Sequence, residues 1–316
     1  MEERLGVILG KMLIQASSES TEYSLINNQI STPKNKNIES WEKLFEDWIY
    51  KNFGSFSSYS QNSNQINLII NNYANLYISI GSLSSALEYL NSTRYKFHWN
   101  DSETRIILSL EPSSDIFPPP NSQNILSYDF SEVEKTSNSD LWEMFSLNEE
   151  GTWFIQHSRP LVISNDLFYR FEEKSIPFLS NISFERSIDY VWGELDTHRY
   201  NWWTASADSA RQQFIESSHH IMIREDDDWK KVGNKHLNRY GLGRIIDAES
   251  LDNLGEIIFE IESFFHPSIF CGILLACWER AYGKKGKLFL TSKEEVFFVK
   301  ISSSHDTQPL NINRVS

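Results

Sequence analysis

One segment of the sequence carries carboxylate and imidazole side chains at a spacing that suits metal binding. Glu216 and His220 are four positions apart, so on a helix they would share one face, where a single metal ion could contact both. The H-E-x-x-H pattern of zinc proteases is missing, and histidines at a helix end also interact with its terminal carbonyl groups. Glu216 and His220 are therefore candidate metal ligands, with a helix-end interaction as the alternative.

Histidine and carboxylate side chains of the same region could also act as acid and base. Only one of the eight histidines lies in residues 1–150. A hydrolase site in the C-terminal half would use His198, His219 or His220 together with Asp196 and Glu216 as base, ligand or orienting group.

A metal-dependent nuclease would need an Asp and a carboxylate-x-Lys tripeptide on adjacent strands to hold a divalent ion and orient water. Asp166 with residues 172–174, and residues 228–230, supply these residue types, although such tripeptides are common by chance. The acidic run at residues 225–228 lacks the alternation and the glycine of a calcium loop, which favours a solvated loop.

Signatures of cofactor sites and nucleophiles are incomplete. Gly241 and Gly243 begin a G-x-G-x-x-G pattern, but Ile246 occupies its third glycine position. No G-x-S-x-G elbow is present. Cys271 and Cys277 lie in an apolar run, where we expect buried, inert thiols. We therefore expect no cofactor.

A short aromatic segment has the residue types that dominate protein interfaces. Arg199, Tyr200, Trp202 and Trp203 fall within five positions. Three large aromatic side chains so close together cannot all face one core, so we expect at least one to be partly exposed. These four residues are the candidate partner-binding residues, and a corner packed into the core is the alternative.

The charge balance limits the class of partner. The 316 residues include 29 Lys and Arg against 43 Asp and Glu, a formal net charge of −14. Broad binding to nucleic acid needs positive surface to neutralise phosphates, and anionic membranes attract polybasic segments. We therefore expect neither kind of binding, and the charge favours a basic protein partner.

Hydropathy and cysteine content indicate the compartment. The longest nearly uninterrupted apolar run, residues 269–278, has ten residues, whereas a membrane-spanning helix needs about twenty. Two cysteines in the whole chain cannot form a disulfide framework, which fits a reducing environment. These features predict a soluble cytoplasmic protein.

Proline marks the predicted domain boundary. Pro112 and the run of three prolines at 118–120 favour an extended linker over 112–124. We predict an acidic α+β domain over 1–111, a second α+β domain over 125–302 and a flexible tail over 303–316. Residues 1–150 carry a net charge of −10, and residues 151–316 carry −4.

Hydrophobic periodicity gives the elements that would position these residues. A helix is predicted over 41–53, a hairpin over 66–80, a pair of strands over 95–99 and 106–110, and a helix over 250–265. Residues 269–282 fit either a buried helix or a buried strand. A final hairpin joins 288–290 to 296–301.

Together these patterns predict an α+β protein of two domains, each a small, mostly antiparallel sheet packed with helices. We expect a non-catalytic binding protein that acts through protein–protein interaction, as an inhibitor, immunity-type or adaptor protein for a basic partner. The alternative is a metal-dependent hydrolase or nuclease with its site in the C-terminal domain.

Overall fold

A computed structural model describes residues 1–32, 41–61, 65–102, 105–115, 118–122, 144–149, 152–155, 159–179, 184–293 and 296–304. These residues form eight α-helices and eleven β-strands. The helices are α1 (Glu2–Leu5), α2 (Gly10–Ile26), α3 (Glu42–Lys51), α4 (Leu76–Asn91), α5 (Asn165–Ser175), α6 (Thr197–Glu216), α7 (Asp228–His236) and α8 (Pro267–Tyr282). The strands are β1 (Ser55–Gln61), β2 (Ile66–Asn71), β3 (Arg94–Ser102), β4 (Arg105–Ser113), β5 (Phe145–Leu147), β6 (Trp153–Ile155), β7 (Tyr190–Trp192), β8 (Gly243–Ser250), β9 (Ile257–Phe264), β10 (Gly286–Lys293) and β11 (Val296–Ser303).

Contacts divide the chain into two compact units. The N-terminal unit comprises Ile8–Ser127 and Thr136–Pro177, and the C-terminal unit comprises Met1–Val7, Tyr128–Lys135 and Phe178–Ser316. The predicted α+β class is confirmed, because helices and mainly antiparallel sheets occur together. By these contacts the predicted linker, 112–124, falls inside the N-terminal unit, and the domain boundary proposed there stays a prediction.

The N-terminal unit is built on a four-stranded antiparallel sheet of order β1-β2-β4-β3. Alternate residues of β2 and β4 are buried, which leaves Leu68 and Leu108 facing the core and fixes the register of the sheet. The predicted helix over 41–53 is confirmed as α3, and the predicted strands over 95–99 and 106–110 are confirmed within β3 and β4. β5 and β6 form a separate antiparallel pair.

The predicted hairpin over 66–80 is wrong in its second strand. Residues 76–80 begin helix α4, because the side chain of Asn75 accepts hydrogen bonds from the amides of Tyr77 and Ile78, at 3.0 and 3.1 Å. Every residue from 78 to 87 is buried, so the helix has no polar face to reveal its period in the sequence.

The C-terminal unit is built on a five-stranded sheet of order β7-β10-β11-β9-β8. All its strand pairs are antiparallel except that of β7 with β10. Helices α6 and α8 pack closely together, because Gly272 lets α8 approach the backbone of Ala207 in α6. The predicted final hairpin is confirmed as β10 and β11.

The predicted helix over 250–265 is wrong. Ser250 ends β8, Gly255 lies in the connecting turn with a φ of 103°, and Ile257 begins β9. Residues 269–282, for which the sequence left helix and strand open, belong to helix α8, whose first turn contains Pro267.

Some sequence predictions lie outside the described residues, among them the start of the second domain at 125 and most of the tail over 303–316. Within the described part of the chain, no helix combines the length and the apolar character needed to cross a membrane.

Candidate functional site

Most of the predicted site residues lie on or beside α6 in the C-terminal unit. Asp196 is the N-cap of this helix, and its Oδ1 atom accepts hydrogen bonds from the amides of His198 and Arg199, each at 3.0 Å. This contact satisfies two amides that a helix start leaves unpaired. Asp196 therefore has a structural role, and the side chain of His198 is exposed beside it.

Trp202 and Trp203 do not lie on the surface. They are 0% and 3% exposed, and both rings form T-shaped contacts with the ring of His266, with centroids 5.4 and 5.3 Å away. The prediction that these two residues bind a partner is therefore wrong. Both side chains belong to the core, because successive residues of α6 face the sheet and α8. Arg199 and Tyr200 are half-buried, and the Tyr200 hydroxyl donates to the backbone carbonyl of Tyr190.

The predicted pairing of Glu216 with His220 on one helical face does not form. Helix α6 ends at Glu216, and Ser218 has a φ of 58°, so His220 lies beyond the helix. The carboxylate of Glu216 instead accepts from Gln212, at 2.7 Å. Among the residues that the structure describes, no group of three or more His, Cys, Asp or Glu side chains could hold a metal ion.

A histidine that the sequence did not single out lies beside one that it did. The rings of His219 and His236 are 5.0 Å apart, and each is 5.1 Å from the ring of Phe214. Burial, together with His219 and Lys235, lowers the pKa of His236 to about 4. The separation of 17 positions conceals this pair in the sequence, because His236 lies at the end of α7 and His219 precedes that helix.

The residues that matched a nuclease pattern lie on helices. Asp166 is paired with Arg170 at 2.9 Å within α5, and Glu172 of the same helix is only 2% exposed. Asp228 is the first residue of α7 and accepts from the amide of Arg224, at 3.0 Å. The adjacent strands that this chemistry needs are therefore not formed by these residues.

The two thiols are buried, as expected. Cys271 and Cys277 are 0% and 1% exposed within α8, and burial raises the pKa of each thiol well above its usual value. Thiolate, the reactive form, is therefore suppressed at both positions.

A chain of ion pairs runs through the C-terminal unit. Asp208 of α6 accepts from Arg4 at 2.7 Å and from Arg211 at 2.8 Å, and the Tyr190 hydroxyl donates to it at 3.0 Å. Burial opposes ionisation of Asp208, but the hydrogen bonds from Arg211 and Arg4 outweigh it, so the pKa of this carboxyl lies below its usual value.

The chain continues through Glu279 of α8. Its carboxylate joins Arg211 at 3.1 Å to Arg186 at 2.6 Å, and Arg186 in turn pairs with Asp189 at 2.9 Å. These buried charges alternate in sign and are hydrogen-bonded, which is the condition for keeping such groups away from water. The network holds α1, α6 and α8 together, and each of its carboxylates is paired with at least one arginine.

A second group of carboxylates lies at the surface of the C-terminal unit, on residues 222–228 and 246–254, which we call the acidic face. These two segments contain seven acidic side chains and one basic side chain, a net charge of −6. They are joined where Asp226 accepts from Ser250 and where Lys230 pairs with Asp247 at 2.9 Å. The side chain of Asp227 is 73% exposed.

The acidic face also carries large apolar side chains that are open to water. Met222 is 72% exposed and Leu254 is 58% exposed, with Ile246 at 42% and Leu251 at 36%. Several exposed apolar side chains on two segments that meet at an acidic surface favour an interaction site there. The sequence shows the carboxylates, but the two segments become adjacent only in the folded structure.

The turn that carries Leu254 is internally fixed. Asp252 accepts from the amides of Leu254 and Glu256, at 2.9 and 2.7 Å, and the amide of Leu251 donates to the Glu256 carbonyl at 2.8 Å. Leu251 and Leu254 therefore project from an ordered backbone, which lowers the entropic cost of binding through them.

Comparison with known proteins adds no relative: no protein-family model, curated protein or solved structure matches this chain.

Proposed function

We propose that this protein acts by binding another protein, and that the acidic face of the C-terminal unit receives a basic, partly apolar surface of that partner. The observation that carries the proposal is the joining of two acidic segments, with exposed apolar side chains between their carboxylates, by the Asp226–Ser250 contact.

Charge supports the choice of partner. Seven carboxylates against one cation produce a local potential of the same sign as the whole chain, whose net charge is −14. Such a surface raises the encounter rate with a basic protein and repels the phosphates of nucleic acid. The Lys230–Asp247 and Lys231–Asp228 pairs are exposed, so water screens them and they add little rigidity by themselves.

Apolar side chains supply the part of the affinity that does not depend on charge. Removing the exposed surface of Met222 and Leu254 from water contributes favourably at about 25 cal/mol per Å². Because the turn around Leu254 is already ordered, less of this gain is lost to ordering on binding. Carboxylates are therefore expected to steer the encounter, and the apolar side chains to slow dissociation.

The test is affinity capture from native lysate at low salt with the full chain as bait. The face variant replaces three exposed carboxylates of the acidic face, Glu225→Gln, Asp227→Asn and Glu249→Gln. The matched control variant replaces three exposed carboxylates elsewhere in the same unit, Glu185→Gln, Glu194→Gln and Glu216→Gln. Both variants change the net charge by the same amount.

We expect a basic protein that is retained by the wild type and by the control variant and is lost from the face variant. Equal capture by the two variants would overturn the assignment of the acidic face. A partner without basic character would overturn the electrostatic part of the proposal.

A further inference from the structure

The N-terminal unit contains a pocket of about 210 Å³ that lies between α2, α3 and the start of α5. Its apolar side is formed by Trp48, Phe53 and Leu167, which are 4%, 7% and 4% exposed. A dry cavity of about 150 Å³ accommodates benzene, so this pocket has room for a branched alkyl or aryl group with a few further atoms.

Hydroxyl groups also line the pocket. The Oγ atoms of Ser20 and Ser164 are 3.4 Å apart, at the outer limit of a hydrogen bond, so both hydroxyls can turn toward a bound molecule. Ser24 adds a third hydroxyl, which donates to Gln29 at 3.2 Å. The pocket therefore offers hydrogen bonds next to an apolar surface.

The mouth of the pocket carries one cation and one anion. Lys51 and Asp47 of α3 form an ion pair at 2.7 Å, and their side chains are 31% and 34% exposed. The pair is neutral as a unit, so it matches a ligand that carries both charges better than one with a net charge. A carboxylate on Lys51 and an ammonium on Asp47 would convert one ion pair into two.

The position of α5 favours the carboxylate on the Lys51 side. Helix α5 has 11 residues and begins at the pocket with Ser164 as its N-cap. The start of a helix attracts negative charge, and the acidic side chain in its first turn, Asp166, is already paired with Arg170. Lys51 and the Ser164 hydroxyl thus form a suitable carboxylate environment.

We propose that this pocket binds a free α-amino acid with an apolar side chain. The side chain lies against Trp48, Phe53 and Leu167, the carboxylate meets Lys51, and the ammonium group meets Asp47. This site is formed by the N-terminal unit alone and does not rest on the function proposed for the acidic face.

Calorimetric titration of the full chain with L-valine, L-leucine, L-methionine and L-phenylalanine tests the proposal. We expect at least one of them to bind saturably. Two analogues of leucine dissect the head group: 4-methylpentanoate lacks the amine, and 3-methylbutylamine lacks the carboxylate. We expect each analogue to bind at least about tenfold more weakly than the amino acid, since each forfeits one charged contact.

Lys51→Met and Asp47→Asn test the residues themselves. Each is expected to weaken amino-acid binding by at least about tenfold. The matched controls, Lys43→Met and Glu46→Gln, change exposed charges on the same helix outside the pocket and are expected to leave the affinity unchanged. Circular dichroism checks that each variant is folded. If either Lys51→Met or Asp47→Asn fails to fold, the binding measured with the other variant tests the proposal.

Three results would overturn the proposal. The first is the absence of binding tighter than about 10 mM for all four amino acids. The second is an equal affinity for the amino acid in the wild type and in the folded Lys51→Met and Asp47→Asn variants. The third is an analogue that binds as tightly as leucine, because Lys51 and Asp47 would then contribute nothing to recognition of the charged head group.

Discussion

Asp226 accepts two hydrogen bonds from Ser250, one from its backbone amide at 2.9 Å and one from its hydroxyl at 2.6 Å. The two residues are 24 positions apart, one in the segment before α7 and the other at the end of β8. This contact brings the two segments of the acidic face together and fixes the backbone that presents their exposed side chains.

The first prediction concerns this contact. Asp226→Ala removes both hydrogen bonds, and hydrogen exchange should become about fivefold faster or more in residues 222–228 and 246–254, which corresponds to about 1 kcal/mol. Hydrogen-exchange mass spectrometry measures this. Asp227→Ala is the matched control, because its carboxylate is 73% exposed. Unchanged hydrogen exchange in Asp226→Ala would show that the Asp226–Ser250 contact does not stabilise the backbone of the acidic face.

The second prediction concerns pH. Burial first, and then the neighbouring His219, Lys235 and Arg239, lower the pKa of His236 from 6.5 to about 4. Between these two values the unfolded chain binds a proton that the folded chain excludes, so stability falls as the pH drops through this window. The slope for one proton reaches at most about 1.4 kcal/mol per pH unit.

Urea midpoints measured at several pH values from 7 to 4 test this slope. His236→Gln should flatten the dependence, even though it lowers stability at neutral pH by removing ring contacts. His98→Gln, at an exposed position of β3, serves as the control and should leave the slope unchanged. A wild-type slope retained in His236→Gln would contradict the assignment.

The third prediction concerns the contact between α6 and α8. A Cβ atom on Gly272 would overlap the backbone of Ala207, so Gly272→Ala should destabilise the protein by about 1–3 kcal/mol. At an open helical position the same change stabilises by about 1 kcal/mol. Thermal unfolding of Gly272→Ala measures this effect, and we expect its melting temperature to be lower than that of the wild type. A higher melting temperature would contradict the close packing of α6 and α8.

The fourth prediction concerns the thiols. Because Cys271 and Cys277 are buried and their pKa values are raised, neither should react with a disulfide reagent in the folded protein at neutral pH. Two thiols per chain should react in denaturant. Rapid modification of the native protein would place at least one of them at an accessible position.

The sequence predicted those elements whose hydrophobic period matches one buried face, such as α3 and the β3–β4 pair. It misassigned residues 76–80, because Leu76, Ile78 and Ile80 alternate like a strand although residues 78–87 of the helix are all buried. It also misassigned residues 250–265, where apolar residues on a turn and a strand happen to repeat at helical spacing across Gly255.

The candidate site was less predictable for a similar reason. The sequence drew attention to Trp202 and Trp203 by their residue type, but only the packing of α6 shows that they are buried. Leu251 and Leu254 belong to the segment that was predicted as a helix, and both are exposed on the acidic face. The meeting of Asp226 with Ser250 and of His219 with His236 depends on tertiary contacts that no local pattern encodes.

The salt dependence of association is the decisive test of binding through the acidic face. The association rate of the captured partner is measured from about 0.01 M to about 1 M salt, over which the screening length falls from about 30 to about 3 Å. We expect at least a tenfold decrease for the wild type and the control variant, and a clearly smaller decrease for the face variant with Glu225→Gln, Asp227→Asn and Glu249→Gln. A wild-type rate that does not change with salt, or equal salt dependence in the two variants, would contradict binding through this face.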